Sequence, residues 1–242
     1  MPRTDVKPAL NTYHAHRERQ QQRILDAAET LFDEHGIDRV TMADITSASG
    51  VRASTVYQYF SNKDEIVWAI LSALFTENTE RAKQRLEGAT TGLGRVTALL
   101  EFMADELSLH PAKARFMAQF DALYARDWPA ERLLTLEAQI NPQGFRYFSE
   151  LIREGIADGS LRPDLDPDLT MHAVINAVIG AQRRLASLGN KVEIEYGQSI
   201  DRLFRETIRV LLLGLRATES SPSTKPTEPT KARQSITRKR FS

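Results

Sequence analysis

Ala53, Ser54, Tyr57 and Gln58 are small or hydrogen-bonding residues spaced to share one face of a helix. Val56 and Phe60, four apart, form the apolar stripe on the opposite side. A helix that buries one side and offers hydroxyl, amide and methyl groups on the other is equipped for recognition by hydrogen bonding and apolar contact. Thr41, Arg52, Thr55, Tyr59 and Lys63 add hydroxyls and two cations around it, and residues 45–63 hold Arg52 and Lys63 with no acid at all.

Two further helices must hold that surface in place. Ile24, Ala27, Ala28, Leu31 and Phe32 recur at helical spacing, and Gly36 ends this first helix where a positive φ suits glycine. Thr41 precedes Asp44 by three residues, a capping-box spacing that starts a second helix with Ile45 and Ala48 inward. Gly50 sits in the tight turn, and Val51 plugs the core. Three short helices in this order predict a helix-turn-helix, whose last helix is shaped for the major groove of DNA.

These residues resemble the tetracycline-repressor (TetR-type) family of bacterial transcriptional regulators. The matching motifs are Gly36-Ile37, Val40-Thr41-Met42-Ala43-Asp44-Ile45, Ser49-Gly50-Val51, Thr55-Val56-Tyr57-Gln58-Tyr59-Phe60 and Ser61-Asn62-Lys63-Asp64. The resemblance implies an all-α homodimer that binds double-stranded operator DNA, most often as a repressor released by a small effector. It places Ala53, Ser54 and Tyr57 at base edges and Thr41, Thr55, Gln58, Tyr59 and Lys63 at phosphates. Arg52 stands where the family usually has a Ser-like N-cap, so this helix starts without a side-chain cap at a cost of about 1 kcal/mol. Arg52 could instead reach a base or phosphate. Ala53 is too short to hydrogen-bond a base and offers only apolar contact, for instance to a thymine methyl.

Composition is compatible with this. The 242 residues have zero net charge and no cysteine, so no disulfide framework or thiolate metal site is expected. The charge is unevenly distributed: residues 1–25 sum to +3 and residues 217–242 to +4, which leaves −7 for the middle. Basic ends and an acidic body would orient the molecule on a polyanion. No apolar run approaches the ~20 residues of a membrane helix, and the N-terminus lacks a signal peptide's apolar core, so a cytoplasmic protein without membrane contact is expected. The expected organisation is a flexible basic arm over 1–16, the helix-turn-helix domain over 17–63, an effector-binding and dimerisation domain over 64–217, and a disordered basic tail over 218–242.

About nine helices are expected. Ser61 and Asp64 repeat the capping-box spacing and open a fourth helix running to about Gly88. Others follow at about 95–109, 112–126 and 130–157, with a kink or new start at Asn141-Pro142, and then at about 167–188 and 195–216. In the last helix Phe204, Ile208, Leu211 and Leu215 form one stripe, which Val210, Leu212 and Leu213 widen beyond a single face. In the helix before it Ala173, Ala177 and Gly180 keep the surface small. Both helices could be internal core, or two from each protomer could form a two-fold four-helix interface; the resemblance selects the dimer.

Aromatic and thioether groups concentrate in the middle helices: Phe102, Met103, Phe116, Phe120, Tyr124, Phe145 and Phe148. Such groups line cavities and fill cores alike; the resemblance makes them the effector pocket, with Asn176, Gln119, Gln139 and His172 as polar contacts. Catalysis finds no support. The five histidines are scattered, HExxH and glycine-rich phosphate loops are absent, and no metal or cofactor is called for. Two rival readings remain: an architectural or partner-regulated DNA binder of the same fold, and a helical interaction protein that does not touch DNA.

Overall fold

The computed structural model describes residues 7–140 and 146–217, with side chains over 14–139 and 146–217. Eleven helices lie among the described residues: α1 (Lys7–His35), α2 (Met42–Ser49), α3 (Ala53–Tyr59), α4 (Lys63–Leu86), α5 (Gly92–Leu109), α6 (Pro111–Asp127), α7 (Ala130–Ile140), α8 (Arg146–Ala157), α9 (Pro167–Leu188), α10 (Lys191–Tyr196) and α11 (Ile200–Leu215). The expected 130–157 helix is two helices on either side of residues outside the description. The expected 195–216 helix is α10 and α11, parted at Gly197, whose φ of 64° no helix interior adopts.

The local signals at the N-terminal end act largely as their chemistry dictates. α1 stops at Gly36, φ 86°. Thr41 caps α2 in a full capping box with Asp44, and Gly50 closes α2 in the left-handed region. Arg52 makes no side-chain cap bond to α3. α4 corrects its expected start by one residue. Asn62, not Ser61, is the N-cap: its Oδ1 accepts from Glu65 N at 3.0 Å, and Glu65 Oε2 accepts from Ser61 N at 2.7 Å. Asn caps as well as Ser, and glutamate reaches back to a main-chain N–H more easily than aspartate. Of the expected arm, residues 7–16 are helical, while residues 1–6 and the expected tail over 218–242 lie outside the described residues.

Two hydrophobic clusters make the core. One joins Ile24, Ala28, Phe32, Ile45, Val56 and Phe60 to Ile66, Ile70 and Leu74 of α4 and Phe116 and Phe120 of α6. The other gathers Leu86, Leu100, Leu107, Ala114, Leu151, Val178, Phe204 and Ile208, from α4, α5, α6, α8, α9 and α11. α4 and α6 therefore belong to both. Within the second cluster α5 and α8 touch backbone to backbone: a Cβ built on Gly92 would lie 2.1 Å from Gly155 N.

Candidate nucleic-acid interface

On α3, Val56 is fully buried and Phe60 just after it nearly so, while Ala53, Ser54, Tyr57 and Gln58 face outward; Tyr57 keeps 54% of its surface. A large aromatic left that open on a seven-residue helix contributes little to folding and presents both a ring and a hydroxyl to a partner. Arg52 is exposed beside them and Thr55 half-buried.

Three residues placed at phosphates by the resemblance have internal partners. Thr41 Oγ1 donates to Asp44 Oδ2 at 2.6 Å and accepts from Asp44 N at 3.2 Å. These bonds, first the hydroxyl and then the main-chain N–H of Thr41, hold the Asp44 carboxyl below its usual value. Tyr59 Oη donates to Gln20 Oε1 at 3.2 Å, and the Arg17 guanidinium lies 5.5 Å from the Tyr59 ring centroid. Lys63 Nζ donates to Ile37 O at 2.7 Å, Val40 O at 2.9 Å and Asp38 O at 3.3 Å. An ammonium has three N–H bonds, and all three are used here on the loop after α1. Lys63 thus carries positive field to this surface without a free donor, which replaces the phosphate hydrogen bond expected of it.

Three further residues hold the unit and were not foreseen. Arg23 Nη2 donates to Ser49 O at 2.7 Å and ties α1 to the end of α2. Gly50 has φ 62°, which glycine adopts without strain, and a Cβ there would displace the Arg23 guanidinium, 2.9 Å away. Gln119, expected as an effector contact, reaches from α6 to the end of α1: Ile37 N donates to its Oε1 at 2.8 Å, and its Nε2 donates to Phe32 O at 3.3 Å. Arg115, one turn earlier, grips Asp33 of α1 through two bonds of 2.7 and 2.8 Å. The Asp33 bonds hold the Arg115 guanidinium above its usual value. Such side-chain donors to a neighbouring helix leave no periodic trace in sequence.

The aromatic residues expected to form one pocket fall into two groups. Phe116, Phe120 and Tyr124 join Trp68 and Trp128 in the cluster beneath the helix-turn-helix, with Trp68 and Trp128 stacked at 5.0 Å and Arg132 4.4 Å from the Trp68 centroid. Phe102, Met103 and Phe148 pack against the other cluster. Phe145 lies outside the described residues. Asn176 is exposed and turns back on its own helix, Nδ2 donating to His172 O at 2.8 Å. The polar groups inside this body are others. Glu106 is nearly buried with Arg81 Nη2 2.6 Å from its Oε1, and Arg183, whose guanidinium burial pushes down to about 10, pairs with Asp121.

The dimer stripe divides as well. Phe204, Ile208 and Leu215 are buried in their own protomer, and Leu211 packs partly against the same core, so they are corrected from interface to core. The open face of α11 is Glu206, Arg209, Val210, Leu213 and Gly214, with Val210 and Leu213 more than half exposed. Ala173, Ala177 and Gly180 are exposed on α9.

No group of three or more histidines and carboxylates among the described residues is placed to hold a metal ion, and no described helix is long and apolar enough to cross a membrane. A helix-turn-helix presenting a polar recognition face, on an all-helical body, defines a DNA-binding transcriptional regulator. Residues 24–70 match the family of bacterial regulatory proteins, tetR family. Relatives are named as helix-turn-helix transcriptional repressors and regulators. The repressor KstR2 of Mycolicibacterium smegmatis is 29% identical over 143 residues, 59% of this chain and 67% of that protein. Among solved structures, the ketosteroid transcriptional regulator KstR2 of Mycobacterium tuberculosis superposes with a TM-score of 0.61 at 21% identity, over 81% of this chain and 94% of that one. FadR from Bacillus subtilis, in complex with stearoyl-CoA, gives a TM-score of 0.61 at 20% identity over 80% and 98%. At these identities the two structures establish a shared fold.

Proposed function

We propose that the chain is a cytoplasmic, homodimeric repressor whose α3 helices read a palindromic operator and whose body releases it on binding an apolar or amphipathic small molecule. The observation that carries this is the outward face of α3 on a unit matching the tetR family. Ser54 and Tyr57 meet base edges, Ala53 gives apolar contact, and Arg52, Thr55 and Gln58 meet phosphates and fix the docking. Residues 17–63 form the DNA-reading domain and 64–217 the effector and dimer domain. The partner copy packs against Ala173, Ala177 and Gly180 of α9 and Val210 and Leu213 of α11. Leu213→Asp is expected to turn the dimer into a folded monomer in sedimentation, because an unpaired interface carboxylate costs several kcal/mol; a folded dimer would move the interface elsewhere.

The effector class follows the aromatic and thioether groups packed against the body's core, Phe102, Met103 and Phe148, and the similar proteins, one a ketosteroid regulator and one bound to stearoyl-CoA. Ligand binding reaches DNA because α6 carries both Ala114, buried in the cluster that Phe102, Met103 and Phe148 pack against, and Gln119, which holds the end of α1. The test is operator titration with and without a ketosteroid or a long-chain acyl-CoA. One of them is expected to lower operator affinity by ~5–150-fold, the usual range of coupling between sites. Gln119→Leu should bind the same ligand with that ratio reduced towards one. Ligands that bind without changing operator affinity would leave a DNA binder under no small-molecule control.

A further inference from the structure

α1 is two helices in one. From Ile24 to His35 it is amphipathic and acidic: Ile24, Ala28 and Phe32 are buried, and Asp26, Glu29, Asp33 and Glu34 lie outside. From Lys7 to Arg23 it is basic, with Lys7, Arg17, Arg19 and Arg23 against Glu18. Residues 14–19 and 21–23 are all exposed, and Gln20 is half-buried only where it meets Tyr59. An exposed polar stretch such as 14–19 gains little from a core, and most helical stability in proteins comes from such packing. Among the described residues neither Arg17 nor Arg19 has a carboxylate partner; Arg19 Nε donates to its own helix, to Ala15 O at 3.1 Å. Residues 14–19 are helical and cationic, yet none of them is buried within the chain.

Its position says what the charge is for. Arg23, Gln20 and Arg17 recur at three-residue steps along the side of α1 that faces the helix-turn-helix. Arg23 holds the end of α2, Gln20 accepts from Tyr59 at the end of α3, and Arg17 lies over the Tyr59 ring. Beyond Arg17 the backbone stays helical for ten more residues, about 15 Å at 1.5 Å per residue. The extension is thus anchored to the last residue of the recognition helix and continues past the unit.

We propose that the exposed stretch of α1 at residues 14–19 is a second DNA contact, lying along the phosphate backbone that flanks each half-site, with Arg17 and Arg19 as phosphate ligands. The inference rests on α3 docking in a groove; given that docking, an arm fixed to the end of α3 lies within reach of the adjoining strand. Fifteen ångströms correspond to about four base pairs at 3.4 Å each. The occupant is double-stranded nucleic acid because Arg17 and Arg19 stand exposed beside the recognition helix, and regularly spaced phosphates are the complement of such cations. The contact is blind to sequence, since charge on phosphate carries no base information. Tyr59 is then the hinge pin between reading and holding, which explains why its hydroxyl and its ring are both engaged from α1.

The test uses the full-length chain and a random-sequence duplex of thirty base pairs, titrated across a range of salt. The probes are Arg17→Gln, Arg19→Gln, the double variant and Arg17→Lys, each checked for an unchanged melting temperature. Each loss of charge is expected to flatten the slope of log K against log salt by about 0.9 per protomer, and the double variant by about twice that. Arg17→Lys should keep the wild-type slope, because it keeps the charge while losing the planar stack. Should Arg17→Gln melt early, Arg19→Gln alone decides, since Arg19 contacts only its own helix. A double variant, or Arg19→Gln, with wild-type slope would overturn the proposal while leaving the regulator reading intact. A wild-type chain that binds no duplex at all would overturn both.

Discussion

Around the α1–α3 unit several bridging side chains bond to the backbone, whereas along the long helices of the body many charged side chains pair with one another. Around the helix-turn-helix, Thr41 and Asp44 cap α2, Arg23 bonds Ser49 O, Lys63 bonds three carbonyls after α1, and Gln119 bonds both strands of the turn that ends α1. In the body, Arg85 and Arg205 share Asp105, Arg81 meets Glu106, Arg183 meets Asp121, and Lys113 meets Glu77. The reason is length. Every helix leaves four N–H and four C=O groups unpaired at its ends, so in helices of eight and seven residues nearly all backbone groups are end groups. Helices of seventeen to twenty-four residues, as α4 and α6 are, have long sides, and charges there find partners across helix faces. A short-helix unit is therefore held by irreplaceable donors, and the long-helix body by shape and by ion pairs worth little individually.

The largest expected effect probes the body's dependence on shape. Gly92→Ala puts a methyl group where the Gly155 backbone already stands, and backbone cannot rotate away. Thermal unfolding should show a loss of about 3 kcal/mol or more, the upper range for overpacking; wild-type stability would mean that α5 and α8 part easily.

Next comes the contrast itself. Lys63→Ala strips three carbonyls of a charged donor and should cost about 2–3 kcal/mol, as hydrogen bonds to charged groups do. Arg205→Ala, which removes two exposed ion pairs, should cost below about 1 kcal/mol. Equal losses in urea unfolding would erase the distinction between the regions. Lys63→Ala should also change the salt slope of DNA binding less than its loss of charge alone would suggest, since Nζ keeps no free donor for a phosphate.

The smallest effect lies at the seam between the two regions. Glu29 of α1 borders a narrow crevice with Asp33, Ile70, Lys113 and Phe116. Partial burial, then the neighbouring Asp26 carboxylate, raise its carboxyl above the ordinary 4.5, with Lys113 opposing and Glu77 adding to the rise. A carboxyl raised in the folded state binds more protons there than in the unfolded chain. Stability therefore falls as pH rises from about 4.5 through the raised value, and stays lower above it. Glu29→Gln should melt later than wild type at neutral pH and alike below pH 4; a gap independent of pH would assign the effect to packing instead.

What was legible in the chain was whatever is encoded within a few residues. Gly36, the Thr41–Asp44 box, Gly50, the uncapped Arg52 and the outward set Ala53, Ser54, Tyr57 and Gln58 are all local, and they stand in the structure where their spacing puts them. The capping box at α4 was misread by one residue because Ser61–Asp64 and Asn62–Glu65 have the same spacing and only geometry separates them.

The sequence by itself determined the class of fold, the helix-turn-helix and the face it shows, because helix periodicity and caps act through neighbours along the chain. Tertiary structure alone decided which partner each long-range side chain took. Apolar width on α11 showed that the helix is buried on several sides, but not that Phe204, Ile208 and Leu215 face their own protomer while Val210 and Leu213 stay open. Aromatic content announced clusters, but their division between two cores follows from α4 and α6 crossing both. Lys63 and Gln119 looked like ligand contacts, and folding gave them carbonyls 23 to 87 residues away, a pairing that no local rule can carry.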